Sequence, residues 1–229
     1  MPQQEVVIVT GSTGFIGSAL INKLAGRFAL VGFDKIASRA PPPAAECVCI
    51  DLTSEEAIRS AFERVRLAYG GRIASVVHLA AYYDLSGEPS PLYEQITVRG
   101  TEKLLDQLQA FEVEQFIFAS TMLVHAPSAP GQRINEGSPI DPRWPYPLSK
   151  VETEALIRDK HGDIPIVLAR LAGVYDDRSH AAFLRAVWIS PALLSAVLPD
   201  VAATLREELV RLEAELRAGR LKAPPPLPE

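Results

Sequence analysis

The chain has 229 residues, of which 48% are hydrophobic, and its formal net charge is −5. This length suits one α/β domain with a large core and a smaller addition, and the mild acidity argues against nucleic acid as a partner. No stretch reaches the roughly 18 uncharged apolar residues that a membrane span needs, and we expect no signal peptide at the N-terminus.

The two cysteines, Cys47 and Cys49, alternate along a predicted strand and therefore share one of its faces. We predict that both are small buried apolar residues, because they are poorly placed to form a disulfide and no second Cys/His pair lies nearby to complete a metal site. This cysteine content indicates a reducing, cytoplasmic environment.

A glycine-rich turn follows the first predicted strand. Val6 to Val9 is a β-branched run typical of a strand buried on both faces, and an amphipathic helix begins shortly after it. Between them lies the spacing Gly-x-x-Gly-x-x-Gly. Free backbone N–H groups and the helix dipole at such a junction favour a pyrophosphate. We therefore predict dinucleotide contacts at Gly11, Thr13, Gly14, Phe15, Ile16 and Gly17.

The second predicted strand, Phe28–Phe33, ends at Asp34, which lies 17 residues after Gly17. A carboxylate at this point would accept hydrogen bonds from the adenosine ribose and repel a 2′-phosphate. Asp34 therefore favours NAD over NADP as the cofactor. Lys35 and Arg39 could offset the charge of a phosphate, so NADP stays open, and Asp34 could instead serve only as a turn or capping residue.

Four segments together resemble the extended branch of the short-chain dehydrogenase/reductase superfamily, the NAD-dependent epimerase/dehydratase family. They are Thr10–Gly17, His78–Ala81, Tyr146–Lys150 and Arg170–Tyr175. The resemblance covers about residues 5–176. It implies an α/β fold with a Rossmann-type, doubly wound parallel sheet, so that 1–176 would form an NAD(P)-binding domain that also carries the catalytic residues.

The resemblance implies further cofactor contacts after the third and fourth strands, Glu46–Ile50 and Ile73–Leu79. These contacts are Asp51, Leu52, Leu79, Ala80 and Ala81. Asp51 or Thr53 could instead cap the helix 54–67. His78 is predicted to be a structural histidine rather than a catalyst.

Tyr146 and Lys150 lie four residues apart and so share one face of a helix that is predicted to run to about His161. They follow Ser120 and Thr121, which come after the fifth strand, and this order resembles the family's Ser/Thr–Tyr–Lys catalytic group. A nearby ammonium should lower the pKa of a tyrosine from about 10. The resemblance implies that Tyr146 transfers the proton, Lys150 binds the nicotinamide ribose and Thr121 orients the substrate oxygen.

The helix predicted over Leu92–Phe111 has Thr97 where the family commonly has Asn. This departure calls into question one polar contact that the family makes near its active site. In the family this helix often contributes to a dimer interface. The resemblance therefore implies that the chain could form a homodimer.

The sixth strand is predicted over Ile164–Ala169.

Beyond residue 176 the resemblance ends. The remaining segment, 177–229, is predicted to be a short helical extension followed by a Pro-rich disordered tail, in place of the substrate domain of extended members. Its amphipathic helix, Val201–Arg217, would pack on its own domain or form a coiled coil. A substrate cleft without this domain would be open, so we expect weak turnover.

The sequence therefore predicts an enzyme, an NAD(P)-dependent oxidoreductase or epimerase/dehydratase that acts on a small-molecule secondary alcohol or ketone. Nucleotide sugars are the commonest substrates in the resembling branch. The alternative is a non-catalytic dinucleotide-binding sensor or scaffold. The complete group Thr121, Tyr146 and Lys150 favours the enzyme, and the lack of a recognisable substrate domain favours the alternative.

Overall fold

The computed structural model describes residues 5–35, 42–84, 86–129 and 132–174. Almost all of them belong to the first of the chain's two units, Met1–Ala172. The predicted helical extension and tail, 177–229, lie outside the described residues, as does Arg39. None of the helices in the described ranges is long and apolar enough to cross a membrane.

Within these ranges, six strands form the main sheet and are all parallel. They are β1 (Val6–Thr10), β2 (Ala29–Asp34), β3 (Glu46–Cys49), β5 (Ser75–His78), β7 (Phe116–Thr121) and β8 (Ile166–Leu171). Their spatial order is β3-β2-β1-β5-β7-β8. The strands that follow β1 in the chain are first added on one side of it, as β2 and β3, and then on its other side, as β5, β7 and β8. This change of side next to β1 confirms the predicted Rossmann-type sheet.

Four α-helices connect these strands in the described part of the chain. They are α1 (Phe15–Leu24), α2 (Glu55–Tyr69), α3 (Arg99–Leu108) and α4 (Pro145–Lys160). α4 begins with a proline in its first turn, where the missing N–H costs nothing. The bounds of α4 confirm the helix that was predicted from Tyr146 to about His161.

The central strand β1 is buried on both faces, as its β-branched composition predicts. Val6 and Ile8 join the larger core cluster, which includes side chains of α2 and α3. Val7 and Val9 point the other way and pack with Ile21 of α1. Side chains alternate across a strand, so a strand covered by helices on both sides needs apolar residues at every position.

The predicted strand Ile73–Leu79 is divided in the structure. Its first part is β4 (Arg72–Ile73), which pairs with β6 (Glu112–Val113) in a separate two-stranded sheet. Only the second part, β5, lies in the main sheet. The strand is divided because its two halves pair with different strands, β4 with β6 and β5 with β1. The sequence pattern of a strand does not reveal which strand it will pair with.

The predicted helix Leu92–Phe111 begins as a π-helix, Tyr93–Val98, and continues as α3. Thr97 is fully buried in the π-helix, and its hydroxyl accepts a hydrogen bond from the Tyr82 amide at 3.0 Å. The departure from Asn at this position therefore still leaves a polar contact with the segment after β5. π-Helical turns are often found at functional sites.

The last two strands lie slightly further along the chain than the predicted ranges, Gln115–Ala119 and Ile164–Ala169. β7 continues through Ser120 and Thr121, which pair with Arg170 and Leu171 of β8. β8 begins after Pro165, whose carbonyl accepts the Phe116 amide at 2.8 Å. Proline has no N–H to donate to a ladder, so it lies outside the strand.

The prediction that the cysteines are buried is wrong, since both Cys47 and Cys49 are exposed. They lie on β3, which is an edge strand of the sheet. Val48, on the opposite face of the strand, packs against the core. This edge strand has only one face covered by the apolar core. That face carries Val48, and the opposite face, which carries both cysteines, is exposed.

Candidate functional site

The glycine-rich turn between β1 and α1 lies against the end of β5. Gly11 has a φ of +69°, which L side chains rarely adopt, and a Cβ there would lie 3.0 Å from the Ala80 nitrogen. A Cβ on Gly17 would collide with the Gly11 carbonyl and would lie 2.9 Å from Ser12 Cα. The packing of the turn therefore requires glycine at both positions.

Gly14 is constrained differently. Its φ of −69° and ψ of 173° are ordinary extended values, and a Cβ there would meet the Gly11 oxygen at 3.1 Å. α1 has no side-chain cap and no acidic residue in its first turn. The amides of Phe15 and Ile16 therefore lack an acceptor within the helix and, together with the helix dipole, would stabilise an anion. The turn fits the pyrophosphate of a dinucleotide.

Asp34 lies at the end of β2, beside the same turn. Its Oδ2 accepts hydrogen bonds from both the amide and the hydroxyl of Thr13, each at 2.8 Å. This pair of bonds fixes the carboxylate next to the glycine-rich turn, which is the region where a ribose-binding carboxylate lies in this type of fold. The contact of Thr13 with Asp34 was not predicted.

The residues after β3 have local structural partners. Asp51 Oδ1 accepts the Thr53 amide and hydroxyl, both at 2.8 Å, and these bonds lower the pKa of the carboxyl. The cap of α2 is Ser54, which rules out the alternative that Asp51 or Thr53 caps this helix. Leu52 is buried and packs against Gly100, on which a Cβ would lie 2.9 Å from Leu52 Cβ.

The segment after β5 is tied to β1 through one hydroxyl. The amides of Leu79 and Ala80 lie 3.1 Å and 3.0 Å from Thr10 Oγ1, to which they donate. Ala81 follows and is half-buried. These bonds hold the small side chains next to Gly11, at the same edge of the sheet as the turn.

His78 lies in a buried chain of hydrogen bonds between β1 and α3. Its Nδ1 is 2.7 Å from Thr10 Oγ1, and its Nε2 is 2.9 Å from Thr101 Oγ1. The Thr101 hydroxyl donates to the Thr97 carbonyl, so it accepts from His78 and places the proton on Nε2. Burial lowers the pKa of His78 to about 3, and the charge of Lys150 adds to this effect. His78 is a neutral structural residue, as predicted.

Tyr146 lies in the first turn of α4, near Thr121 at the end of β7. It is 8% exposed, and burial raises the pKa of its phenol to about 12, while a hydrogen bond with Thr121 acts in the opposite direction. The prediction that Lys150 lowers this pKa is wrong for this structure. Lys150 Nζ is 5.8 Å from the centre of the Tyr146 ring, and burial has the larger effect. The phenol is therefore protonated at neutral pH.

Lys150 is 2% exposed and lies one turn further along α4. Its Nζ donates to the Ala119 carbonyl at 2.8 Å and lies 4.6 Å from the centre of the Phe118 ring. Burial lowers the pKa of Lys150 to about 7, and the negative charge of Glu154 opposes this shift. The ammonium is thus anchored to the carboxyl end of β7 and titrates near neutral pH.

Glu154 is a buried carboxylate that sequence reasoning missed. It is 1% exposed and accepts the Ser120 hydroxyl at 2.5 Å. Two nitrogens of Arg170 donate to it at 3.0 Å and 2.6 Å, and Arg158 donates at 3.2 Å. The spacing of four residues from Lys150 is the signal that could have identified it, because it places both side chains on one helix face.

An aromatic group, also unpredicted, borders Tyr146. The Tyr83 ring meets the Tyr146 ring edge-on, with centres 5.1 Å apart, and Tyr83 is 64% exposed. Tyr82 packs edge-on against Tyr93, whose hydroxyl donates to the Asp84 carbonyl at 2.7 Å. The only sequence signal for this group is that Tyr82 and Tyr83 come directly after the small residues Ala80 and Ala81.

Comparison with known proteins relates the chain to one family. A model described as the NAD dependent epimerase/dehydratase family matches residues 7–195. The dTDP-D-glucose 4,6-dehydratase of Dictyostelium discoideum is 26% identical over 200 residues, covering 76% of this chain and 45% of that protein. The UDP-glucose 4-epimerase of Erwinia amylovora is 32% identical over 171 residues, covering 67% of this chain and 48% of that protein. The chain thus spans about half the length of these relatives.

Solved structures agree with this relationship. The UDP-glucose 4-epimerase of Thermus thermophilus, in complex with NAD, is similar with a TM-score of 0.64 and 26% identity. The match covers 80% of this chain and 61% of that one.

Proposed function

Because the chain belongs to the NAD-dependent epimerase/dehydratase family, we propose that it is an NAD(P)-dependent oxidoreductase, epimerase or dehydratase acting at a secondary alcohol or ketone. The observation that supports this most is the arrangement of Thr121, Tyr146 and Lys150 around the carboxyl end of β7. In an open parallel sheet, this is the edge at which ligands bind.

The residues that would hold the dinucleotide lie at the same edge. The glycine-rich turn and the free amides of α1 would bind the pyrophosphate, and Asp34 would accept the ribose hydroxyls. Leu79, Ala80 and Ala81 would form the floor on the nicotinamide side, while Lys150 would bind the nicotinamide ribose. Asp51 would lie towards the adenine. When bound, NAD supplies the acceptor and donor of the hydride.

Tyr146 would transfer the proton in this reaction. Its phenol, with a pKa of about 12 in the structure, is protonated at neutral pH and can donate to a carbonyl oxygen that becomes an alcohol. In the opposite direction the phenolate must form, and the hydrogen bond from Thr121 would stabilise it. Thr121 would also hydrogen-bond the substrate oxygen and orient it.

We propose a nucleotide sugar as the substrate class. The named relatives act on dTDP- and UDP-linked glucose. The exposed Tyr83 ring beside Tyr146 offers an apolar surface on which a sugar ring could pack.

A turnover assay of the full chain tests this function. The protein is incubated with NAD and a panel of UDP- and dTDP-hexoses, and products are separated by chromatography, since an epimerase returns its hydride and leaves no net change in the cofactor. An epimer or a dehydrated sugar is the expected product. NAD binding without any product would instead support the sensor or scaffold, and a chain that binds neither NAD nor NADP would exclude both functions.

We expect NAD to bind more tightly than NADP, because Asp34 would accept hydrogen bonds from a ribose and repel a 2′-phosphate. In Asp34→Asn the preference for NAD over NADP should fall by about tenfold, because one charge-assisted hydrogen bond to the ribose is lost. Calorimetric titration of both cofactors measures this. Glu56→Gln, an exposed carboxylate of α2, is the matched control and should leave the preference unchanged. Equal or tighter binding of NADP by the wild-type chain would show that Asp34 does not select the cofactor.

A further inference from the structure

Glu154 connects three elements behind the candidate site. It lies on α4, its partner Ser120 is the residue before Thr121 on β7, and its partner Arg170 lies on β8. Ser120 and Arg170 are themselves paired in the sheet. The carboxylate therefore joins the helix that carries Tyr146 to the strand end that carries Thr121.

We propose that Glu154 is a positioning residue of the candidate active site. Through Ser120 and Arg170 it holds the end of β7 in register with α4, and its charge favours the protonated form of Lys150, which lies four residues earlier on the same face of α4. The roles of Thr121, Tyr146 and Lys150 in this inference rest on the proposed function.

The hydrogen-bond donors around Glu154 explain how a charged carboxylate can be stable in a buried position. Its carboxylate receives two hydrogen bonds from Arg170, one from Arg158 and one from Ser120. Burial raises the pKa of Glu154, but these donors together hold it below the usual value, so the group is ionised. Removing one partner of such a buried pair leaves an uncompensated charge.

Lys150 is the group on which this charge acts. Tyr146 and Glu154 lie four residues before and after it on α4 and so share its helix face, and His78 of β5 is close enough to feel its charge. Tyr146 and His78 are both neutral at pH 7. Glu154 is therefore the negative group of this set that opposes the loss of the Lys150 proton.

An NMR titration of the full chain tests the charge part of the inference without any substrate. The protein is labelled with ¹³C at lysine Cε, and the Lys150 resonance is identified by its loss in Lys150→Met. In Glu154→Gln the pKa of Lys150 should fall by about one unit. Glu102→Gln is the matched control, because Glu102 of α3 also accepts from two cations, Arg99 of α3 and Lys160 at the C-terminal end of α4. It should leave the Lys150 titration unchanged.

Glu154→Asp tests the positioning part. Aspartate keeps the charge but is one methylene shorter, so the pKa of Lys150 should stay near the wild-type value. The shorter side chain cannot span the same contacts to Ser120 and Arg170, and kcat should fall about tenfold with little change in KM. If Glu154→Gln fails to fold, the kcat of Glu154→Asp decides the inference.

An unchanged Lys150 pKa in the folded Gln variant, or wild-type kcat in Glu154→Asp, would overturn the inference. A wild-type chain that turns over no sugar nucleotide would refute the proposed function. In that case the titration still decides whether Glu154 controls the charge of Lys150.

Discussion

Replacing Tyr146 by phenylalanine should lower kcat by about 10²–10⁴-fold while leaving NAD affinity and Tm close to those of the wild-type chain. Phenylalanine keeps the ring that packs edge-on against Tyr83 and removes only the hydroxyl that is hydrogen-bonded to Thr121. The loss would therefore report proton transfer rather than packing. Product formation from the best sugar nucleotide and calorimetric titration of NAD measure the two quantities.

Tyr93→Phe is the matched control for this experiment. Tyr93 is also a buried tyrosine with a hydrogen-bonded hydroxyl, but its partner is the Asp84 carbonyl rather than a member of the catalytic group. We expect its kcat to stay within a few-fold of the wild-type value. A Tyr146→Phe protein that retains full turnover would remove Tyr146 from the mechanism and require another proton donor.

Gly14→Val should abolish measurable NAD binding in a chain that still folds. The backbone of Gly14 has φ −69°, which valine can adopt, and a Cβ there would lie 3.1 Å from the Gly11 oxygen, a tight approach that a small shift relieves. The added side chain would occupy the space in which the pyrophosphate meets the amides of α1. Calorimetric titration of NAD and thermal unfolding of the same sample measure the two effects.

Two other glycine variants make this result interpretable. Gly17→Val should destabilise the fold itself, since a Cβ there collides with the Gly11 carbonyl. In Gly71→Val, by contrast, a Cβ would lie 3.5 Å from Arg66 Nη1, which is ordinary contact, so both stability and NAD binding should persist. Unchanged NAD affinity in a folded Gly14→Val protein would mean that the cofactor binds elsewhere.

The sequence by itself determined those features that depend on neighbours along the chain. The β-branched run of β1, the glycine spacing of the turn and the position of α4 were all predicted correctly from the residues. Gly11 illustrates the reason, because a positive φ is a property of one residue and glycine tolerates it best. The doubly wound parallel sheet was also predicted, because it is implied by the resemblance that rests on the glycine-rich turn and the Tyr-x-x-x-Lys spacing.

Only the tertiary structure decided the features that depend on partners from distant parts of the chain. The exposure of Cys47 depends on which face of an edge strand the core covers, and the division between β4 and β5 depends on where β6 lies. The pKa of Tyr146 was predicted to be lowered by the charge of Lys150, but burial by surrounding elements has the larger effect and raises it. Desolvation is the sum of all packing around a group, so spacing along the sequence cannot reveal it.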